Sequence, residues 1–124
     1  MDAVQVLLLA IMMPIAAASL LQYVMTRLGG TDGVGPNGLV GIRTRATLAS
    51  DGAWRAGHEA AQPWLLAAAV LGAALGVPLV VWRIVAGPDL PLGSTVACAV
   101  ATAAVLTCFA TGIARAQHAA RRWS

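Results

Sequence analysis

The side chains with the most chemistry to offer lie close together between Arg43 and Glu59, and they include Thr44, Thr47, Ser50, Trp54 and His58. A guanidinium such as that of Arg43 presents five N–H donors in a planar fork. That geometry suits a lipid phosphate, a partner carboxylate or several loop carbonyls. Thr44 and Thr47 are of the type that closes a local turn or caps a helix. His58 belongs to the one residue type whose ordinary titration falls near neutral pH. Acyl transfer would need a nucleophile within reach of a base that a third group orients. Ser50 and His58 are eight residues apart with no assignable orienting acid, so a non-enzymatic protein is expected. Only Glu59 stands at ligand spacing from His58, too few donors for a metal ion, and neither metal nor cofactor is expected.

These residues need a helix to position them, and the sequence supplies a start signal for one. Ser50 followed by Asp51 puts a capping hydroxyl before the first turn and an acid against the positive end of the helix dipole. The spacing predicts a helix from about Asp51 to Pro63, with continuation into the apolar stretch beyond. On it Trp54 and His58 are four apart and share a face, Arg55 and Glu59 pair on a neighbouring face, and Ala53, Gly57 and Ala60 form a smooth surface. A helix of this kind would lie at a membrane interface with Trp54 inward and Arg55 toward headgroups. The segment before it, with Gly29, Gly30, Gly33, Gly35, Pro36 and Gly38, is expected from its composition to be flexible or tightly turning.

The rest of the chain is built for a non-aqueous solvent. Hydrophobic residues make up 59% of the 124 and charged residues only 10%, too few to coat a small soluble domain. Three runs without charge stand out at about residues 3–26, 63–82 and 90–114, each long enough to cross some 30 Å of hydrocarbon. Trp64 and Trp82 would place one indole near each interface of the middle span. The expected fold is therefore an all-α membrane protein. One membrane domain covers residues 1–124, with three transmembrane helices and an interfacial or cytoplasmic helix in the first loop, residues 27–62. The first run lacks the positive charge that precedes the core of a signal peptide, so it is expected to stay as a span.

Charge orients the spans. Arg27, Arg43, Arg45 and Arg55 fall in the first loop and Arg115, Arg121 and Arg122 in the tail, whereas Arg83 alone falls in the second loop. The positive side is the cytoplasmic one, which puts the N-terminus outside and the C-terminus inside a bacterial cell membrane. The net charge of +3 is spread between apolar spans, so membrane lipids rather than nucleic acid are the expected electrostatic partner.

Ala68, Gly72 and Gly76 recur four apart in the middle span, and Ala104, Cys108 and Gly112 do the same in the third. Such faces let backbones approach closely, either within the chain or between copies. Cys98 and Cys108 would lie about 15 Å apart along one helix, too far for a disulfide. Ser19, Thr102, Thr107 and their like can bond to carbonyls of the preceding turn, and Gln5 and Gln22 add uncharged packing groups. Pro14 and Pro78 are expected to kink their helices. Proton-coupled transport requires an ionisable group inside the membrane, and none of the three runs holds one.

The run Gly41-Ile42-Arg43-Thr44-Arg45-Ala46-Thr47-Leu48, followed by Ser50, Trp54 and His58, resembles the signature of the SdpI family of bacterial membrane proteins. The match covers about the central 30 residues, and the flanking spans match only as apolar runs. Many members of that family have Pro-Trp where this chain has Arg45-Ala46, and the longer immunity-type members carry further spans. The resemblance implies Arg43, Thr44, Thr47, Leu48, Trp54 and His58 as a functional or structural core; Asn37 and Gly41 are further candidate residues of the motif, and Gly72, Gly76, Cys108 and Gly112 are expected from their spacing to pack the helices. The resemblance also implies immunity to a membrane-active antimicrobial peptide or signalling of its presence through a cytoplasmic regulator. A subunit of a larger membrane protein complex is the alternative expectation.

Overall fold

In the computed structural model the described residues are 3–28, 42–87 and 93–123. They form three long helices, α1 (Ala3–Leu28), α2 (Asp51–Ala86) and α3 (Gly93–Arg121), with a short 3-10 turn at Thr47–Ala49 ahead of α2. Asn37, Gly41 and the glycine-rich segment lie outside the described residues. All three helices are long and apolar enough to cross a membrane.

The expected helix from Asp51 is present, and it joins the middle span without a break. Its 36 residues extend about 54 Å, far more than the roughly 30 Å of hydrocarbon in a bilayer. The apolar stretch accounts for residues 63–82, so the three turns from Asp51 project beyond it as a rigid extension of the span. They do not form a separate helix lying in the membrane plane. Pro63 sits inside the helix, in line with the expected continuation, as do Pro14 in α1 and Pro78 in α2. Each of these rings is on the exposed surface, where it disturbs no helix–helix contact. Helix α2 stops at Gly87, whose φ of 88° and ψ of −168° lie in a region open essentially to glycine alone.

Side-chain size is sorted in the sense opposite to that of a soluble bundle. Large apolar groups point outward, Ile84 at 76% and Val85 at 80% exposure among them, while Ala68, Ala101, Ala116 and Ala120 are buried. In lipid an outward Val or Ile loses nothing, and small inward residues let backbones approach until dispersion holds them. The main core joins Leu9, Met12 and Ala16 of α1, Ala68 of α2, and Cys98, Ala101 and Val105 of α3. The most extensive contact is between α2 and α3, with α1 laid across both.

The small-residue faces are used up inside the chain. A Cβ on Gly72 would collide with the Cβ of Ala16, and one on Gly76 would meet Met12 and Met13. Gly112 lies against Trp64 and Ala61 of α2, and Cys108 packs at the edge of the main core. Cys98 and Cys108 are both free thiols. Among the polar groups, Ser19, Thr102 and Thr107 donate to the carbonyls of Ile15, Cys98 and Ala103, each four residues back. Gln5 does more, since its amide donates to Ser94 Oγ at 2.6 Å and to Thr95 Oγ1 at 2.7 Å and so ties α1 to α3.

Candidate functional site

The residues from Ile42 to His58 build a hydrogen-bonded cap over one end of the bundle, the end that carries most of the arginines. Construction starts at Ser50, whose backbone is extended and whose hydroxyl accepts the Ala53 N–H at 3.0 Å, with Asp51 in the first turn. That cap fixes where α2 begins and hence the angular position of Trp54 and His58. Four residues apart, they stack with ring centroids 4.2 Å apart, and both are buried.

Before Ser50 the chain closes on itself through two threonines. The Thr44 N–H donates to Thr47 Oγ1 at 2.9 Å, and the Thr47 N–H donates to Thr44 Oγ1 at 3.2 Å. The Thr47 hydroxyl has one proton, and the carbonyl of Ile42 at 2.6 Å is its nearest acceptor. The 3-10 turn that follows is short because Ser50 immediately returns to extended backbone. Sequence patterns did not mark this turn, since three residues are too few to show a period.

His58 closes the other side. Its Nε2 accepts the Ile42 N–H at 2.9 Å, and its Nδ1 faces the Trp54 carbonyl at 2.8 Å. A backbone N–H can only donate, so Nε2 is unprotonated and the proton sits on Nδ1, donated to Trp54. The geometry therefore requires the neutral ring and fixes its tautomer. Burial lowers the pKa of His58 below its ordinary value, and the bond to the Trp54 carbonyl only partly opposes this. Both point to an uncharged imidazole at neutral pH.

What this network holds is Ile42. Its N–H goes to His58 and its C=O to Thr47, so neither backbone group is left unsatisfied by burial. Its side chain then enters a cluster with Ala61 and Leu65 of α2 and Ala116 of α3, flanked by Tyr23 of α1 and Phe109 of α3. A single apolar residue of the connector thus fills a second, smaller cluster that touches all three helices at this end. Ile42 was not among the residues expected to matter. The available signal was a lone isoleucine amid polar motif positions. Gly57 is a second such residue: a Cβ there would lie 2.9 Å from Thr47 Cγ2 and 3.1 Å from the Ala116 carbonyl. The chain end also returns to this place, with the Trp123 ring over Gly52 and its carbonyl accepting from Ser50 Oγ at 3.4 Å.

The expected site residues therefore divide into two sets. Thr47, Trp54 and His58 face inward, and Thr44, half-buried, joins their network. Arg43 and Leu48 are on the exposed surface, together with Arg45, Arg55 and Glu59. Among the described residues no three His, Cys, Asp or Glu side chains come close enough to share a metal ion.

Three lipid-facing helices closed at one end by a polar cap define a multi-pass membrane protein with a structured connector. The family model described as SdpI/YfhL protein family matches residues 34–114, a stretch that runs from before the cap to near the end of the third span. The chain belongs to that family. No curated protein and no solved structure matches it.

Proposed function

We propose that this chain is a non-enzymatic SdpI-like protein of the bacterial cell membrane that resists or senses membrane-active peptides. In this reading the Ile42–His58 cap lies on the cytoplasmic side and a regulator or lipid meets its exposed Arg43 and Leu48. The single observation that carries the reading is the seating of Ile42 among residues of all three helices by way of His58 and Thr47. A peptide that wedges helices apart within the bilayer would loosen that seat and with it the outward-facing arginine surface. Every arginine except Arg83 belongs to that end, which supports the orientation.

The test is a deletion strain of the source bacterium, assayed for killing by membrane-active peptides and for changes in transcription when they are added. Greater sensitivity or a lost transcriptional response is expected, restored by the wild-type gene but not by an Arg43→Ala/Leu48→Ala variant expressed at the same level. Unchanged sensitivity together with unchanged transcription would refute the role. Orientation is tested separately by single-cysteine labelling in intact cells: a thiol introduced at Arg43 should react only after permeabilisation. A complex subunit docking through the glycine faces is the weaker reading, because those faces are already packed within the chain.

A further inference from the structure

A cavity of about 430 Å³ lies between the motif turn and the last two turns of α3, on the outer side of the cap and sharing Thr44 with it. Thr44, Arg45, Ala46 and Ala49 form one wall, and Gln117 and Arg121 form the other. Its size falls within the range of small-ligand clefts, about 300–1,000 Å³. Arg45, Arg121 and Gln117 border it, and among the described residues no Asp or Glu does. Planar forks of N–H donors on opposite walls are suited to the tetrahedral array of oxygens on a phosphate.

Depth narrows the ligand further. The apolar run of α3 ends at Ala114, so Gln117 stands about 4.5 Å and Arg121 about 10.5 Å beyond it along the axis. The headgroup layer of a bilayer is roughly 5–8 Å thick on each side of the hydrocarbon. Gln117 therefore stands at the inner edge of the headgroup layer and Arg121 beyond its outer edge, so the cavity opens at the membrane surface.

We propose that this cavity is a binding site for a phosphate group, held between Arg45 and Arg121 with Gln117 as a further donor. The phosphate is supplied by the headgroup of an anionic lipid or by a soluble phosphate ester at the membrane surface. The site ties the motif turn to the end of α3 through the ligand, a link separate from the Ile42 seat. It stands whether or not the protein responds to peptides.

The full-length protein purified in an uncharged maltoside detergent tests this, with phosphatidylglycerol and glycerol 3-phosphate as probes, and binding read by native mass spectrometry and by thermal shift. Arg45→Gln/Arg121→Gln should weaken binding at least about tenfold, because each charge-assisted bond lost is worth that much. Arg83→Gln, at the other end of the bundle, should not change it. Ala49→Leu enlarges a lining side chain while keeping every charge, and it should weaken binding as well. Loss confined to phosphatidylglycerol identifies the lipid as the source, and equal loss for glycerol 3-phosphate identifies a soluble ester. Binding of both probes that survives the double substitution would overturn the site. So would binding that is indifferent to Ala49→Leu, which would reduce the arginines to diffuse surface charge. If the double variant does not fold, Arg45→Gln alone carries the charge test.

Discussion

At the basic end of the bundle His58 and Thr47 hold both backbone polar groups of Ile42, whereas in the membrane near the other end Gln5 reaches across from α1 to the hydroxyls of Ser94 and Thr95. The first arrangement uses a connector residue as a plug and has partners that are fixed in direction by the helix and by a turn. The second uses a flexible side chain and two hydroxyls in the first turn of α3. Between them the helices are held by small residues in close contact. The difference teaches that hydrogen bonds define structure most sharply where water competes for them and the alternative partner is lost on burial. Within lipid, packing by small residues carries more of the work.

That contrast can be broken at its strong end first. His58→Ala should cost about 3 kcal/mol, since it leaves the buried Ile42 N–H without an acceptor and opens a cavity beside Trp54. Reversible unfolding in mixed micelles would measure it, and a loss under about 1 kcal/mol would mean that the seat is not held as described. Gly57→Val comes next at about 2 kcal/mol, because its side chain would meet Thr47 and the Ala116 backbone, which cannot both give way. Proteolysis between residues 29 and 41 should accelerate in this variant, as the connector loses its anchorage, while Gly87→Ala at the far turn should leave it unchanged. Gln5→Ala should cost only about 1 kcal/mol. An effect as large as that of His58→Ala would erase the distinction between the two ends.

Acid provides the mildest perturbation of the same contrast. Because the folded state lowers the His58 pKa below the 6.5 of an ordinary histidine, the unfolded chain binds the proton more readily. The stabilisation from the neutral ring is therefore complete above pH 6.5 and is lost as pH falls below that value toward the folded pKa. Unfolding temperature measured across this window should drop more steeply for wild type than for His58→Ala. Parallel slopes would show that the imidazole stays protonated or exposed.

Much of the fold could be read from local patterns. The three spans follow from uncharged runs of sufficient length, the start of α2 from Ser50-Asp51, and the Trp54–His58 stack from their spacing of four. Each of these depends on residues that are neighbours along one helix, where geometry is set by the 3.6-residue period. The passage of α2 through Pro63 was less legible, because a proline that ends a helix in water is tolerated where its ring faces outward along a long rigid span.

Other features had no local signature at all. That Gly72 and Gly76 meet α1, that Gly112 meets α2, and that Gly57 receives Thr47 depends on which helices the connectors bring together. The sequence by itself determined three membrane-crossing helices, a charged end and a helix start that aligns Trp54 with His58. Only the tertiary structure decided that His58 is neutral with its proton on Nδ1, and that His58 and Thr47 hold the backbone of Ile42. The physical reason is distance along the chain: a donor sixteen residues away chooses its acceptor by the path of the folded backbone, which no periodicity records.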